Sequence, residues 1–167
     1  MLTVDPADFA RTMAHVPTPV TVVTTVDPSG RRWGFTASSF SSLSLDPTLV
    51  LVCPAKSASC HDAFVAADRF MVNVLASGQA DIAAVFARSG ADKFTNSPME
   101  PCESGLPGLS DATARLACRL HEVLDGGDHS ILIGRVEAVS VGGAEPLVYY
   151  NRLFTRPGGS PALASSA

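Results

Sequence analysis

Two long runs with strand character, joined by a short glycine-containing turn, constrain the fold of this chain more than any other feature. Residues 115–124 alternate apolar and polar side chains, and residues 131–141 form the second run. The link at residues 125–128 reads Asp-Gly-Gly-Asp, and glycine accepts the positive φ angles that hairpin turns require. A second hairpin is predicted from residues 20–26 and 31–36, because a Pro-containing turn separates them.

Short helices complete the predicted set of elements. Asp5 followed by Pro6 indicates a helix start, and Ser57 and Ser77 are predicted to cap two further helices. Residues 69–75 and 146–154 are predicted as single strands. About seven strands and three short helices, without alternation of parallel strands and helices, predict a mainly β fold: an antiparallel β-barrel with helices at its rims.

Composition narrows the class of protein. A chain of 167 residues predicts one domain, over residues 1–155, followed by a polar tail at 156–167 that is expected to be disordered. A net charge of −4 without a Lys/Arg cluster argues against nucleic acid, and no apolar run suits a membrane. The N-terminus lacks the pattern of a secretory signal, and the four cysteines form no Cys-x-x-Cys pair. These features predict a cytoplasmic protein.

The stretch from Gly34 to Ser59 carries the clearest functional signal. It passes from a strand into a run of Ser and Thr, turns at Asp46–Pro47, and re-enters an apolar strand that stops at Pro54. Hydroxyl and backbone N–H groups beside an apolar strand suit a flat, polar-edged ligand that carries a phosphate. The alternative is an exposed edge strand that uses Ser and Thr for solubility.

Common catalytic motifs are absent. The sequence contains no Gly-x-Gly-x-x-Gly, no Walker-type phosphate loop and no Gly-x-Ser-x-Gly elbow. Cys118, His121 and His129 match no zinc spacing, so no metal site is predicted. Asp125 and Asp128 are better explained as turn residues than as a catalytic pair.

Five segments, taken in order, resemble the short-chain flavin reductase family, the reductase components of two-component flavin-dependent monooxygenases. The resemblance runs from about Phe9 to Phe154, and its segments are GFTASSFSSLSLDPTLVLVCPAKSAS, FMVNVL, DKF, GDHSILIGRV and PLVYYNRLF. It implies an FMN-binding split β-barrel of Greek-key type that forms a homodimer. It further implies binding of FMN or FAD, oxidation of NAD(P)H, and release of reduced flavin to a partner monooxygenase.

The resemblance also implies a set of flavin-binding residues. The run from Thr36 to Ser39 would line the isoalloxazine edge, and Cys53 and Pro54 would touch the ring. Hydroxyls at the predicted helix start would meet the phosphate, two lysines would balance its charge, and an aromatic ring would cover the ribityl chain or the isoalloxazine. The residues concerned are Thr36, Ala37, Ser38, Ser39, Cys53, Pro54, Lys56, Ser57, Ser59, Lys93 and Phe94. Surface hydroxyls, solvated lysines and core packing of Phe94 are the alternatives.

His129 is the residue that the resemblance places at the nicotinamide. It follows the glycine turn, where its ring would stack or donate a hydrogen bond while hydride passes directly between cofactor and flavin. A turn histidine with no further role is the alternative. Tyr150 and Arg152 are candidates for the nicotinamide side or the dimer surface.

Some alternatives stay open at the level of sequence. A flavin carrier, an FMN-dependent oxidase resembling the pyridoxamine-phosphate oxidases, or a barrel without cofactor would share many of these features. The motifs do not separate FMN from FAD. NADH is favoured over NADPH, because no arginine cluster for a 2′-phosphate is evident.

Overall fold

The computed structural model describes residues 3–90 and 92–158. Three α-helices are found in these ranges, α1 (Pro6–Ala14), α2 (His61–Val65) and α3 (Ala80–Phe86), together with one 3-10 helix (Glu103–Gly105). The strands are β1 (Thr18–Pro19), β2 (Thr21–Val26), β3 (Arg32–Ala37), β4 (Ser41–Leu45), β5 (Thr48–Val52), β6 (Arg69–Val74), β7 (Glu100–Pro101), β8 (Pro107–Gly108), β9 (Ala114–Gly126), β10 (His129–Val141), β11 (Val148–Tyr150) and β12 (Leu153–Thr155). The mainly β architecture predicted from the sequence is confirmed.

One antiparallel sheet of seven strands forms the body, in the order β3-β2-β6-β9-β10-β5-β4. Its two edge strands, β3 and β4, are consecutive in the chain and are joined by residues 38–40 alone. Four steps of 3.8 Å between Cα atoms keep the facing ends of the two edges within roughly 15 Å. The sheet therefore curls until its edges approach each other, and the Ser-rich run lies at this seam of the barrel. The smaller sheets are β1-β11-β12 and β7-β8.

The central hairpin of the sheet is β9–β10. Gly126 pairs with His129, which leaves a two-residue loop of Gly127 and Asp128. Gly127 has φ of 80°, the positive angle that a tight hairpin loop needs at its first position. The predicted glycine turn is confirmed, and it places His129 at the first residue of a strand.

Two clusters of buried side chains hold α2 and α3 on the sheet. In one, Phe35 of β3 meets Phe64 of α2 edge-on, with ring centroids 4.9 Å apart. In the other, Phe86 of α3 meets Phe94 in the same manner at 5.2 Å. Edge-to-face aromatic pairs add about 0.5–1.5 kcal/mol to the burial of their area. Both clusters flank β3, so this strand is held on two sides.

The predicted start of the first helix is confirmed, and the other two are wrong. The Asp5 carboxylate accepts hydrogen bonds from the N–H groups of Ala7 and Asp8, as an N-cap should. Helix α2 begins at His61 rather than after Ser57, and α3 begins at Ala80 rather than after Ser77. Neither start has a side-chain cap.

Tertiary contacts explain both displaced helix starts. The Lys56 N–H donates to Asp128 O at 2.9 Å, and the Ser77 N–H donates to Glu145 O at 2.8 Å. Each segment is thereby held in turns against a neighbouring strand or loop, and the helix starts later. Local capping signals do not report such long-range bonds.

The predicted single strand over 146–154 is also wrong. Asn151 and Arg152 have φ of 50° and 62°, which breaks the run into the hairpin β11–β12. The Asn151 N–H donates to Ala14 O at 2.8 Å, so the turn is anchored to the end of α1. Tyr150 and Arg152 therefore lie on this small hairpin beside α1.

The described residues include only the first part of the predicted C-terminal tail. Residues 156–158 form no regular element, and the remainder of the predicted tail, 159–167, lies outside the described residues. Among the helices of the described part, none combines the length and apolarity that crossing a bilayer demands.

Candidate active site

The Ser-rich run at the barrel seam lies opposite the residues that follow β5, in continuation of the β4–β5 pairing. The Cys53 N–H, just past the end of β5, donates to the Ser39 hydroxyl oxygen at 3.0 Å. Ser38 is exposed, whereas Ala37 and Pro54 are buried. Small side chains on both sides of the seam leave backbone and hydroxyl groups approachable by a flat ligand.

Thr36 is placed beside the seam, and its hydroxyl serves packing. It donates to Ala83 O of α3 at 2.6 Å, which fastens that helix to β3. The residue that sequence analysis expected to offer a hydroxyl to the ligand therefore uses it inside the protein. Ser38 and Ser39 are the hydroxyls left at the seam.

The tip of the β9–β10 hairpin is docked on the segment that follows β5. Ala55 forms a bridge with His129, and the Ser130 N–H donates to Pro54 O at 3.1 Å. The Lys56 N–H donates to Asp128 O at 2.9 Å, as described above. These two hydrogen bonds form the Ala55–His129 bridge, and they hold His129 next to the segment that carries the predicted ring-contacting residues.

Charges reinforce this docking. The Lys56 ammonium pairs with Asp125, and the His129 Nδ1 lies 2.7 Å from Asp128 Oδ1. The contact with His129 lowers the pKa of Asp128, and the contact with Lys56 lowers the pKa of Asp125. Both carboxylates are charged at neutral pH. The His129 side chain is 43% exposed, and within the described ranges its Nε2 makes no hydrogen bond, so this nitrogen is available to a ligand.

A cavity of about 690 Å³ lies at the other end of β3. Three of the predicted residues line it, namely Ser59, Lys93 and Phe94. The Lys93 ammonium donates to Gly34 O at 2.9 Å and to Phe86 O at 3.0 Å, and burial lowers its pKa. An ammonium has three donors, so one remains for an anion.

Other predicted phosphate contacts lie apart from this cavity. Ser57 and Lys56 are exposed and are not among its lining residues. Phe94 is buried against Phe86, which is the core packing that the sequence left as the alternative, although its ring also borders the cavity. The role of each residue toward a flavin stays a prediction.

The thiol of Cys53 is half-buried, and burial raises its pKa. A raised pKa keeps it in the thiol form, which is a poor nucleophile. Cys53, Cys60, Cys102 and Cys118 are all free.

Sequence reasoning missed several residues around the site. Arg31, Arg32 and Trp33 line the cavity, although they were treated only as part of a hairpin strand. His61 Nε2 lies 2.9 Å from the Ser130 hydroxyl and ties α2 to β10 beside His129. Two adjacent arginines before a tryptophan were a usable signal for the cavity. The sequence carried no comparable signal for the His61–Ser130 contact, because 69 positions separate the two residues.

Comparisons with known proteins show the family to which the chain is related. The model of the family described as the flavin reductase-like domain matches residues 13–158. The chain is 42% identical over 165 residues to an NADH:riboflavin 5′-phosphate oxidoreductase of Streptomyces pristinaespiralis, covering 96% of this chain and 94% of that protein. It is 38% identical over 155 residues to HsaB of Mycobacterium tuberculosis, a reductase subunit of a flavin-dependent monooxygenase, covering 91% and 82%.

The solved structures show the same likeness. The NADH:FAD oxidoreductase SgcE6 of Streptomyces globisporus, in complex with NAD and FAD fragments, superposes with a TM-score of 0.87 at 36% identity, over 97% of this chain and 100% of that one. A longer matching chain from Sinorhizobium meliloti is covered over 54% of its length. The small residues of the seam, the docked histidine and the cationic cavity at the far end of β3 fit a flavin with a phosphate. The chain belongs to the flavin reductase-like domain family.

Proposed function

We propose that this chain is an NADH-dependent flavin reductase that reduces FMN or FAD and releases the reduced flavin to a partner monooxygenase. The observation that carries the proposal is the docking of the β9–β10 tip on the segment after β5. It brings His129 next to the seam formed by Ser39 and Cys53.

The seam would hold the isoalloxazine ring. Its Ser38 and Ser39 hydroxyls and adjacent backbone groups can meet polar ring atoms, while the buried Ala37 and Pro54 allow close approach. When bound, the flavin supplies a two-electron acceptor for the hydride of NADH. The protein's contribution is to hold the nicotinamide against the ring, and orientation of this kind accounts for a large part of such rate enhancements.

His129 would position the nicotinamide. Asp128 holds the imidazole through Nδ1, which leaves Nε2 and the ring face for the ligand. No proton transfer is assigned to the ring, because hydride passes between the two cofactors directly. NADH is inferred as the reductant from the relatives, two of which are named as NADH oxidoreductases.

The test is NADH oxidation at 340 nm with FMN, FAD or riboflavin added, comparing the wild type with His129→Ala. We expect turnover that requires added flavin, and a variant with a raised KM for NADH and unchanged flavin affinity. His121→Ala is the matched control, because His121 is exposed on the same hairpin, and its kinetics should equal those of the wild type.

Absence of turnover with every flavin, despite flavin binding, would instead support a flavin carrier or an FMN-dependent oxidase. Equal kinetics for His129→Ala and the wild type would leave His129 as a turn residue.

The partner is inferred from relatives such as HsaB, which is named as the reductase subunit of a flavin-dependent monooxygenase. Reduced flavin that is released into solution reacts with oxygen. Its transfer to a monooxygenase component would put the reduced flavin to use. A diffusible flavin is consistent with a seam lined by the exposed Ser38.

A homodimer is proposed from the exposed apolar side chains. Leu45 on the edge strand β4 is 91% exposed, and Val141 at the end of β10 is 80% exposed. Exposed leucines on an unpaired sheet edge are a liability in a monomer. Light scattering should give a mass of about 35 kDa, twice the 17.3 kDa chain, and Leu45→Glu should shift it toward one chain. A monomeric wild type would contradict the proposal.

The compartment is proposed to be the cytoplasm. All four cysteines are free, and thiols in that state are typical of a reducing environment.

A further inference from the structure

The cavity at the far end of β3 has more room and more charge than a single phosphate needs. Its volume of about 690 Å³ lies within the range of whole small-molecule pockets. Arg31, Arg32 and Lys93 all line it, together with one carboxylate, Asp92. The hydrogen bond from Thr95 is the main cause that lowers the pKa of Asp92, and the charge of Arg32 adds to it. In the described ranges neither arginine lies within ion-pair distance of a carboxylate. Two guanidinium groups and an ammonium therefore face one cavity.

Planar surfaces accompany these charges. The Arg31 guanidinium carbon lies 3.9 Å from the centroid of the Trp33 ring, and that of Arg32 lies 4.8 Å from the centroid of the Phe94 ring. Guanidinium and aromatic planes are the surfaces on which nucleic acid bases stack. The cavity thus combines the two chemistries that recognise an adenine nucleotide.

The Trp33 ring is fixed before any ligand arrives. Its Nε1–H donates to Asp27 Oδ2 at 2.8 Å, and Asp27 Oδ1 accepts from the N–H groups of Ser29 and Arg31. Hydrogen bonds from Ser29 and Trp33 lower the pKa of Asp27 to about 2, so this support persists at any physiological pH. A preorganised ring loses little conformational freedom on binding.

The position of the cavity follows from the direction of β3. The strand leaves the cavity at Gly34 and reaches the seam at Ser38, a span of roughly 13 Å at 3.3 Å per residue. A flavin whose ring lies at the seam would extend its ribityl phosphate along β3 toward Ser59 and Lys93. FMN ends at that phosphate, whereas FAD continues with a second phosphate and adenosine.

We infer that the cavity bordered by Arg31, Arg32 and Trp33 binds the adenylate half of FAD, and that the protein prefers FAD to FMN. The arginines contact the pyrophosphate, and the adenine stacks on the Trp33–Arg31 surface. This inference rests on the proposed function and specifies its flavin substrate.

The test is equilibrium binding, followed by flavin fluorescence, of FAD, FMN and riboflavin to the full chain. We expect FAD to bind roughly 10-fold more tightly than FMN, because one base stacked on an aromatic ring contributes about that factor in affinity. Trp33→Ala and Arg31→Gln should lower FAD affinity by a similar factor and leave riboflavin affinity unchanged. ADP should displace FAD from the wild type and should not displace riboflavin.

The matched control is Arg135→Gln, which removes the same charge from an exposed position on β10 and should leave every affinity unchanged. Because Trp33 packs on the core, Arg31→Gln keeps the test valid if Trp33→Ala does not fold. Equal affinities for FMN and FAD, or equal losses for both in Arg31→Gln, would overturn the inference. NADH oxidation supported by FMN would still stand in that case, whereas loss of turnover with every flavin would refute the proposed function itself.

Discussion

At the scale of single residues, neighbouring hydroxyl side chains have different roles. Ser38 is exposed, Ser39 accepts the Cys53 N–H in continuation of the β4–β5 pairing, and Thr36 donates to Ala83 O of α3. Composition alone treats the three as one polar run. The partner of each hydroxyl depends on the element that packs opposite it, and the contact between Thr36 and α3, 47 positions along the chain, is not encoded in the run itself.

The first residue prediction concerns Ser39. Ser39→Ala removes the acceptor of the Cys53 N–H, so we expect the free energy of unfolding to fall by about 1 kcal/mol. Urea denaturation monitored by fluorescence measures this value. Ser38→Ala is the control and should unfold like the wild type, because Ser38 has an exposed side chain. Equal stability of Ser39→Ala and the wild type would show that water replaces the serine.

The second residue prediction concerns pH at the hairpin tip. The pKa values of Asp125 and Asp128 are lowered in the folded state, so their contribution to stability is complete above the unfolded value of about 3.8 and is lost as the pH falls through the folded values. Carboxyl ¹³C shifts followed by NMR should give both midpoints below 3.8. Lys56→Met should return the pKa of Asp125 toward its usual value, while Asp128, which is governed mainly by His129, should change less.

At the scale of elements, the β9–β10 hairpin organises the molecule. It pairs with β6 on one side and β5 on the other, and its tip docks beside the seam. Its register shifts between Ile133 and Gly134. A Cβ on Gly134 would lie 2.4 Å from Phe70 Cζ and 2.9 Å from Cys118 Cβ, so glycine permits the close approach of these side chains at the bulge.

The prediction for this element is that Gly134→Ala destabilises the protein. The added methyl group must displace a fully buried phenyl ring, which costs about 1–3 kcal/mol by overpacking. Thermal or urea unfolding measures the change. Gly78→Ala is the matched control, since a Cβ there meets no atom within 4 Å and the φ angle of Gly78 is not in the left-handed region. Similar stabilities for the two variants would contradict the clash.

At the scale of the whole molecule, closure of the sheet determines which groups solvent can reach. Cys118 lies on the central strand β9 and is completely buried, and burial raises the pKa of its thiol to about 12. Cys60 is also buried, whereas Cys53 and Cys102 are partly exposed. Closure of the barrel therefore leaves the four thiols with different exposure to solvent.

The prediction at this scale is a graded alkylation pattern. With iodoacetamide at pH 8, Cys53 and Cys102 should react slowly. Cys118 should react only after denaturant unfolds the chain, because its thiol in the folded protein is neither accessible to the reagent nor ionised. Peptide mass spectrometry over time measures the order. Labelling of Cys118 in the native protein at the rate of Cys102 would show that the central strands open locally.

Local sequence patterns were enough to predict the mainly β class, the two hairpins, the glycine turn before His129 and the Asp5 cap, because each rests on alternation, turn chemistry or capping. The starts of α2 and α3, the break at Asn151–Arg152, and the grouping of the predicted site residues became evident only in the folded chain. Those features depend on bonds between distant segments, such as Lys56 with Asp128 or Ser77 with Glu145. Local propensity amounts to less than a kilocalorie per mole for most residues, and such long-range contacts override it.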